Sequence, residues 1–182
     1  MGKVYDEIGE HLDAFIRRQR VFFVATAPLA GDGHVNCSPK GLDTLAILDP
    51  HTVAYLDLTG SGVETIAHLR ENARIVLMFT ALDGPPKIVR LHGRGRVVAP
   101  HHADFAALRA RFPDHHEGVR SVIVVDVERV SDSCGYGVPE YAYVGERTQL
   151  LAWTRKKGSD GLVQYRAEKN GASIDGLPGV TA

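Results

Sequence analysis

The sequence lacks the features that would assign the protein to a membrane or to a nucleic acid. No apolar run approaches the roughly 18 residues that a membrane span needs. The first residues also lack the charged, apolar and small-residue order of a signal peptide, so we expect a soluble, cytoplasmic protein. The 21 basic and 22 acidic residues leave a formal net charge of −1. Because this charge gives no overall attraction to polyanions, any preference for anions has to be local.

Cysteine is scarce, which argues against a zinc site or a disulfide framework. Only Cys37 and Cys134 are present, and neither lies in a CxxC or CxxH context. We therefore expect two free thiols, with Cys134 as a small buried thiol. The adjacent histidine pairs at 101–102 and 115–116 have no cysteine or carboxylate constellation that completes a metal site, so we expect no metal.

Six short segments rich in β-branched and aromatic residues are predicted to be strands, because turn residues bound most of them. They are residues 21–27, 35–40, 52–58, 74–80, 87–98 and 121–127. Tight turns connect most of these segments and only short helices lie between them. We therefore expect an α+β fold built on a mainly antiparallel β-barrel that closes on itself, and not a doubly wound parallel sheet.

Helical spacing of apolar residues predicts helices over residues 4–16 and 63–72 and after Pro100. From Val130 the pattern weakens, and residues 159–182 show little periodicity. With 182 residues, of which 44% are hydrophobic, the chain can bury one core without disulfides or metals. We expect a single domain over 1–182, with a barrel core at about 5–130 and an extension at about 131–182 that wraps over the barrel or is partly disordered.

The segment 59–62, with the sequence Thr-Gly-Ser-Gly, joins a predicted strand to a predicted helix. Ser61 and Glu64 have the spacing of a capping box. A helix N-terminus offers free N–H groups and a partial positive charge, and glycine lets a bulky anion approach the main chain. The segment is therefore a candidate phosphate site, with the hydroxyls of Thr59, Ser61 and Thr65 as further donors. The alternative is that Ser61 only caps its own helix.

Two predicted strands carry polar faces. In the segment 87–98 a period of two places four basic side chains on one face, and a solvated or interfacial face is favoured over a ligand-facing one. These side chains are Arg90, His92, Arg94 and Arg96. Earlier in the chain, Asn36, Ser38 and Lys40 share one face, whose amide, hydroxyl and ammonium suit a heteroaromatic ring and a phosphate. An outward polar face of a half-buried strand explains that second pattern equally well.

The order of these parts resembles the pyridoxamine 5′-phosphate oxidase-like family of FMN-binding split barrels. The resemblance covers about residues 5–130 and includes the N-terminal helix, the hairpin at 22–40, the strand that runs into Gly60-Ser61, the helix that ends at 70–74 and the strand at 75–79. The true oxidase has Arg-Lys after the serine, where this chain has Gly62-Val63, and its C-terminal motif with arginine and tryptophan is not apparent. Oxidation of pyridoxamine phosphate is therefore not expected. Residues 132–139 look like a signature of an uncharacterised subfamily.

The resemblance implies FMN as the cofactor, a homodimer with the flavin at the subunit interface, and a small-molecule substrate. By position, Lys40 looks like the family's flavin-contacting lysine, and the phosphate contacts look like Thr59, Ser61, Gly62 and Thr65. The further cofactor-binding candidates are Asn36 and Ser38, from the shared strand face, and Arg94, to compensate the charge of the phosphate. The function expected is an FMN-dependent oxidoreductase that moves electrons or hydride between a reduced nicotinamide and a small acceptor. A deazaflavin-dependent reductase and a non-catalytic flavin-binding or haem-related binding protein are the alternatives. A nucleic-acid-binding barrel is disfavoured, because the basic strand lacks interleaved aromatic residues.

Overall fold

The computed structural model describes residues 2–180 and forms eight strands and four helices in that range. In chain order they are β1 (Val4–Tyr5), α1 (Glu10–Arg18), β2 (Phe22–Thr26), β3 (Asn36–Lys40), β4 (Leu45–Asp49), β5 (Thr52–Leu58), α2 (Glu64–Asn72), β6 (Arg74–Thr80), β7 (Ile88–Val98), α3 (Phe105–Arg109), β8 (Val119–Ser133) and α4 (Gln149–Lys169). No helix within residues 2–180 has both the length and the apolar character needed to cross a bilayer.

The strands form one curled antiparallel sheet with the order β3-β2-β6-β7-β8-β5-β4, and β1 pairs with β8. This arrangement confirms the predicted α+β class and the mainly antiparallel split barrel. The expectation that the barrel closes is wrong, because β3 and β4 end the sheet order instead of pairing with each other. The polar side chains of β3 therefore lie at an open edge. The short strand β4 was not predicted from the sequence.

The main core lies on the concave side of the sheet. Leu12, Phe15 and Ile16 of α1 pack there against apolar residues of β2, β5, β6, β7 and α2. Leu77 and Phe79 of β6 are fully buried in this cluster, and burial of each such side chain contributes about 1.5–3 kcal/mol. A smaller cluster on the other face is covered by α3 and Phe112. The N-terminal and α2 helices thus hold the curled shape of the sheet.

Two expectations, one about the first helix and one about a thiol, are wrong, and one helix was not predicted. The first helix begins at Glu10 and not at residue 4, because Val4–Tyr5 pair with β8 as strand β1. The helix α4, which continues to residue 169, was not predicted from the sequence. Its periodicity is weak because a break at Gly158, with φ of 64°, divides it into two arms that each bury little. Cys134 is exposed instead of buried.

Candidate functional site

The polar face of β3 points towards the core side of the sheet. Residues opposite each other in an antiparallel pair share a face, and the opposing pairs of β2 and β3 are Thr26–Asn36, Val24–Ser38 and Phe22–Lys40. All three residues of β2 in these pairs are buried. The outward-facing explanation of the β3 pattern is therefore excluded. An amide, a hydroxyl and an ammonium instead line the concave side at the open edge of the barrel.

Hydrogen bonds join β3 to the start of α2. The Asn36 Nδ2 atom donates to Thr65 Oγ1 at 3.1 Å and to Thr26 Oγ1 at 3.2 Å. Ser38 Oγ donates to Asn36 Oδ1 at 2.9 Å, and Thr26 Oγ1 lies 2.9 Å from Nδ1 of the fully buried His68. The structure thus brings together three predicted site residues, Asn36, Ser38 and Thr65. Thr26 and His68, which form the rest of this network, were not predicted as site residues.

The carbonyl groups of the segment 60–62 are held from the interior of the protein. Asn170 Nδ2 donates to Gly60 O at 2.9 Å and to Ser61 O at 3.4 Å. Arg120 Nη1 donates to Gly62 O at 2.9 Å. These donors fix the orientation of the peptide units, and none of them was predicted from the sequence.

Thr59 anchors the same segment and does not face a cavity. Its side chain is fully buried, and both its N–H and its hydroxyl donate to Gly118 O, at 2.9 and 2.7 Å. The Thr59 oxygen also accepts from Arg166 Nε at 2.9 Å. The hydroxyl of Thr59 is therefore occupied by contacts within the protein, whereas Ser61 and Gly62 are exposed.

The N–H groups of residues 60–66 have no acceptor among residues 2–180. Helix α2 begins at Glu64, with Val63 as its N-cap and without a side-chain cap bond. The predicted capping box between Ser61 and Glu64 is therefore wrong, because Glu64 is the first helical residue and its Oε1 atom accepts from the N–H of Ile174 at 3.2 Å instead. Uncapped N–H groups at a helix N-terminus favour an anion.

A buried ion pair lies behind this helix start. Arg120 Nε and Nη2 donate to the two carboxylate oxygens of Asp57 at 2.7 and 3.0 Å, and Ser121 Oγ donates to Asp57 at 3.1 Å. Arg120 Nη1 also donates to Asn170 Oδ1 at 2.8 Å. The sequence carries one hint of this pair, since Asp57 and Arg120 are charged residues in or beside strongly apolar segments.

Two cavities flank the polar face of β3. The smaller, of about 430 Å³, lies at the Asn36 end and is also lined by Ser61, Gly62 and Glu64. The larger, of about 980 Å³, lies at the Lys40 end, and its lining includes Arg18, Arg20, Thr80, Tyr141, Tyr143 and Arg147. Burial lowers the pKa of the Lys40 ammonium, and the charge of Arg120 lowers it further, while Asp57 opposes the shift. The larger cavity has a volume typical of small-molecule sites.

Arg94 is the predicted site residue that lies apart from the others. It belongs to the exposed face of β7, whose members are Arg90, His92, Arg94 and Arg96, while the alternate residues of β7 face the core. The Arg94 side chain donates to Asn72 O at 3.0 Å. Within one chain, Arg94 therefore lies on the opposite face of the sheet from Asn36, Ser38 and Lys40.

These features define an open-edged antiparallel split barrel with a polar groove beside a helix N-terminus. Residues 8–134 match the family model described as pyridoxamine 5′-phosphate oxidase. The pyridoxamine 5′-phosphate oxidase family protein ustO of Aspergillus flavus is 38% identical over 194 residues, which cover 97% of this chain and 77% of that protein. The chain therefore belongs to the pyridoxamine 5′-phosphate oxidase family.

Solved structures show the same fold at low sequence identity. A single-residue variant of HupZ from group A Streptococcus has a TM-score of 0.54 and 21% identity, and the match covers 69% of this chain and 99% of that chain. An FAD-binding protein of Mesorhizobium loti has a TM-score of 0.50 and 18% identity, with coverage of 72% and 95% respectively.

Proposed function

We propose that the protein is an FMN-dependent oxidoreductase in which the flavin lies along the polar face of β3. The observation that carries this proposal is the row of Asn36, Ser38 and Lys40 on the core-facing side of an edge strand, with a cavity at each end. Asn36 and Ser38 have hydrogen-bond partners within the protein, whereas the Lys40 ammonium, whose pKa is lowered mainly by burial, has neither a hydrogen bond nor an ion pair among residues 2–180. A polar group of a ligand at the open edge would supply the missing partner.

The residues beside the smaller cavity fit the phosphate of FMN in most respects. The free N–H groups of 60–66 and the exposed Ser61 hydroxyl are suitable donors. A Cβ atom at position 62 would lie 2.6 Å from Glu64 Oε2, the end of a flexible side chain, so a larger residue there would require only that Glu64 move. The Glu64 carboxylate opposes an anion at this place, and phosphate binding requires it to turn away.

The larger cavity fits the flavin ring and a substrate. Lys40 supplies an ammonium at its edge, and Tyr141 and Tyr143 supply aromatic walls. When it is bound, the flavin supplies the redox chemistry, and the protein supplies orientation, exclusion of water and a substrate pocket. We assign the reaction as transfer of electrons or hydride between a reduced nicotinamide and a small acceptor.

The similarity to known proteins supports flavin binding, but it does not support oxidation of pyridoxamine phosphate. The Mesorhizobium loti structure is described as an FAD-binding protein, and its fold is shared by this chain. Oxidation of pyridoxamine phosphate is not proposed, because Gly62 and Val63 stand where the true oxidase carries Arg-Lys.

A homodimer would give Arg94 a role at the site. Arg94 cannot reach β3 of its own chain, so the proposal requires its exposed face to meet the flavin of a second copy. The exposed segment that carries Tyr136, Tyr141, Tyr143 and Val144 provides apolar surface for such an interface. Sedimentation equilibrium should give twice the mass of the chain, and a stable monomer at micromolar concentration would contradict this arrangement.

The proposed cofactor is tested by the mass and absorbance spectrum of the ligand that copurifies, and by reconstitution with FMN. The double variant Ser61→Ala/Lys40→Ala should weaken FMN binding by at least tenfold, because it removes two hydrogen bonds, one of them from a charged donor. The matched control is Ser159→Ala/Lys156→Ala on the exposed part of α4. Unchanged FMN affinity in the site variant would show that the phosphate and the ring lie elsewhere.

The same preparation tests the reaction. The holoprotein should oxidise a reduced nicotinamide in the presence of a small acceptor. A bound ligand with a deazaflavin spectrum would contradict the assignment of FMN. FMN binding without turnover would contradict the oxidoreductase assignment and indicate a binding protein.

A further inference from the structure

The groups behind β3 form a hydrogen-bonded chain that runs from helix α2 to the ligand-facing row. Its order is His68 Nδ1, Thr26 Oγ1, Asn36 Nδ2, Asn36 Oδ1 and Ser38 Oγ, with separations of 2.9, 3.2 and 2.9 Å between side chains. His68 and Thr26 are buried, while Asn36 and Ser38 are half-buried at the open edge. The chain therefore connects a titratable buried ring to the proposed flavin groove.

For the orientation of the Asn36 amide in the structure, the number of protons fixes the direction of these bonds. Asn36 Nδ2 has two protons, and it donates one to Thr26 Oγ1 and one to Thr65 Oγ1. The proton of Thr26 then has one remaining partner among residues 2–180, namely His68 Nδ1. With the Asn36 amide in this orientation, every bond in the chain is satisfied only while His68 Nδ1 is unprotonated; the proton of the neutral ring then lies on Nε2, a buried atom without a hydrogen-bond partner among residues 2–180. In that state Ser38 donates to Asn36 Oδ1, and its oxygen is free to accept from a ligand.

Protonation at Nδ1 reverses the chain. Nδ1–H then donates to Thr26, and the hydroxyl proton of Thr26 needs a new acceptor. Rotation of the Asn36 amide by half a turn supplies Oδ1 as this acceptor and directs Nδ2 at Ser38. Ser38 must then accept from Asn36, and its own proton points towards the groove.

We propose that His68 is a positioning residue that sets, through Thr26 and Asn36, whether Ser38 accepts a hydrogen bond from the ligand or donates one to it. This inference rests on the proposed flavin site for its ligand. With His68 Nδ1 unprotonated, Ser38 accepts and Lys40 donates on the same strand face. That pair is complementary to a heterocycle edge with adjacent N–H and C=O groups, such as the pyrimidine edge of a flavin.

The surroundings of His68 keep the ring neutral at neutral pH. Burial lowers the pKa of His68, and the carboxylates of Asp175, Glu64 and Glu71 oppose this shift without cancelling it. Glu64 and Glu71 belong to α2 itself, and Asp175 belongs to the C-terminal segment. Acidification through the lowered pKa of His68 therefore converts Ser38 from an acceptor into a donor.

The first test uses ¹⁵N NMR of the imidazole rings in the protein without added flavin. The His68 signals are identified among the nine histidines by their loss in His68→Gln. Nδ1 of His68 should be unprotonated at neutral pH and should become protonated on acidification. If Nδ1 carries the proton at neutral pH, the proposed direction of the chain is wrong. If His68→Gln does not fold, Thr26→Val identifies the same signals by their shift.

The second test measures FMN binding against pH in the wild type, Thr26→Val and the control Thr154→Val, which loses a buried threonine hydroxyl in α4. The phosphate of FMN titrates near pH 6, so the quantity compared is the affinity ratio of wild type to variant at each pH. The FMN affinity of the wild type divided by that of Thr26→Val should fall by about 3- to 10-fold as the pH drops through the pKa of His68 measured by NMR.

The outcomes separate this inference from the proposed function. The ratio to Thr154→Val should not depend on pH. If NMR shows that His68 titrates but the affinity ratio of wild type to Thr26→Val stays constant with pH, the role of His68 at the ligand is overturned. If neither FMN nor riboflavin binds at any pH, the proposed flavin site is wrong, and the role assigned to His68 towards that ligand is overturned with it. The NMR result then still decides the direction of the hydrogen-bonded chain.

Discussion

Replacement of Arg120 by methionine should strongly destabilise the protein, because it leaves a buried carboxylate without its counter-ion. The side chains of Arg120 and Asp57 are only 5% and 2% exposed. Removal of one partner from such a pair costs about 3–5 kcal/mol. Domains of this kind have a total unfolding free energy of about 5–15 kcal/mol, so the loss is a large fraction of the whole.

A double variant separates the two roles of Arg120. In Asp57→Leu/Arg120→Met neither charge of the pair remains, so most of the lost stability should return. The donor to Gly62 O is still missing, however, and Asn170 has lost its partner for Oδ1. FMN affinity should therefore remain weakened in the double variant while the unfolding free energy approaches that of the wild type.

Urea unfolding followed by circular dichroism measures these differences, provided that the m-values agree. The matched control is Arg155→Met, which breaks an exposed pair with Glu117 whose side chains are 61% and 53% exposed. This control should lose at most about 1 kcal/mol. The reasoning is refuted if Arg120→Met costs no more than the control, or if the double variant is as unstable as the single one.

Two further predictions concern charges near the smaller cavity. Glu64→Gln should strengthen FMN binding by about 1 kcal/mol, roughly fivefold, because it removes an anion beside the proposed phosphate position; riboflavin affinity should not change, nor should FMN affinity in the control Glu10→Gln, an exposed acid at the start of α1. A hydrogen bond and the charge of Asp175 raise the pKa of His34, and the same contact lowers the pKa of Asp175. The ion pair between His34 and Asp175 therefore exists between two pH limits. It forms above the lowered pKa of Asp175, and it is lost as the pH rises through the raised pKa of His34. In Asp175→Asn the pKa of His34 measured by NMR should fall, and an unaltered value would contradict the contact.

The local pattern of apolar residues predicted the strands wherever one face of the strand was clearly apolar. Thr52–Leu58 and Arg74–Thr80 have the predicted bounds, since continuous or alternating apolar residues have one stable placement in a sheet. The outward basic face of β7 followed from the same period of two. The short strand Leu45–Asp49 was missed because the connection from β3 is only four residues long and turns through Leu42, which has a positive φ of 61° that leucine rarely adopts.

The candidate site was predictable only in part, because much of it depends on contacts between distant residues. The segment Asn36–Lys40 has no apolar face of its own, so its orientation depends on the pairing with β2. The Asp57–Arg120 pair joins residues 63 positions apart. The N-terminus of α2 is shifted from the predicted capping position because Glu64 is drawn to the backbone of the C-terminal segment. Sequence spacing contains none of this information.

The C-terminal extension is part of the candidate site and not an appendage to the barrel. The family match ends at residue 134, yet Arg166 and Asn170 donate to Thr59, Gly60 and Ser61. These contacts orient the carbonyl groups of the helix-start segment inwards and leave its N–H groups available. The Arg-Lys pair of the true oxidase supplies cationic side chains at this position, whereas here the extension positions the peptide backbone. A phosphate group would therefore be bound by main-chain dipoles whose orientation depends on residues outside the matched barrel.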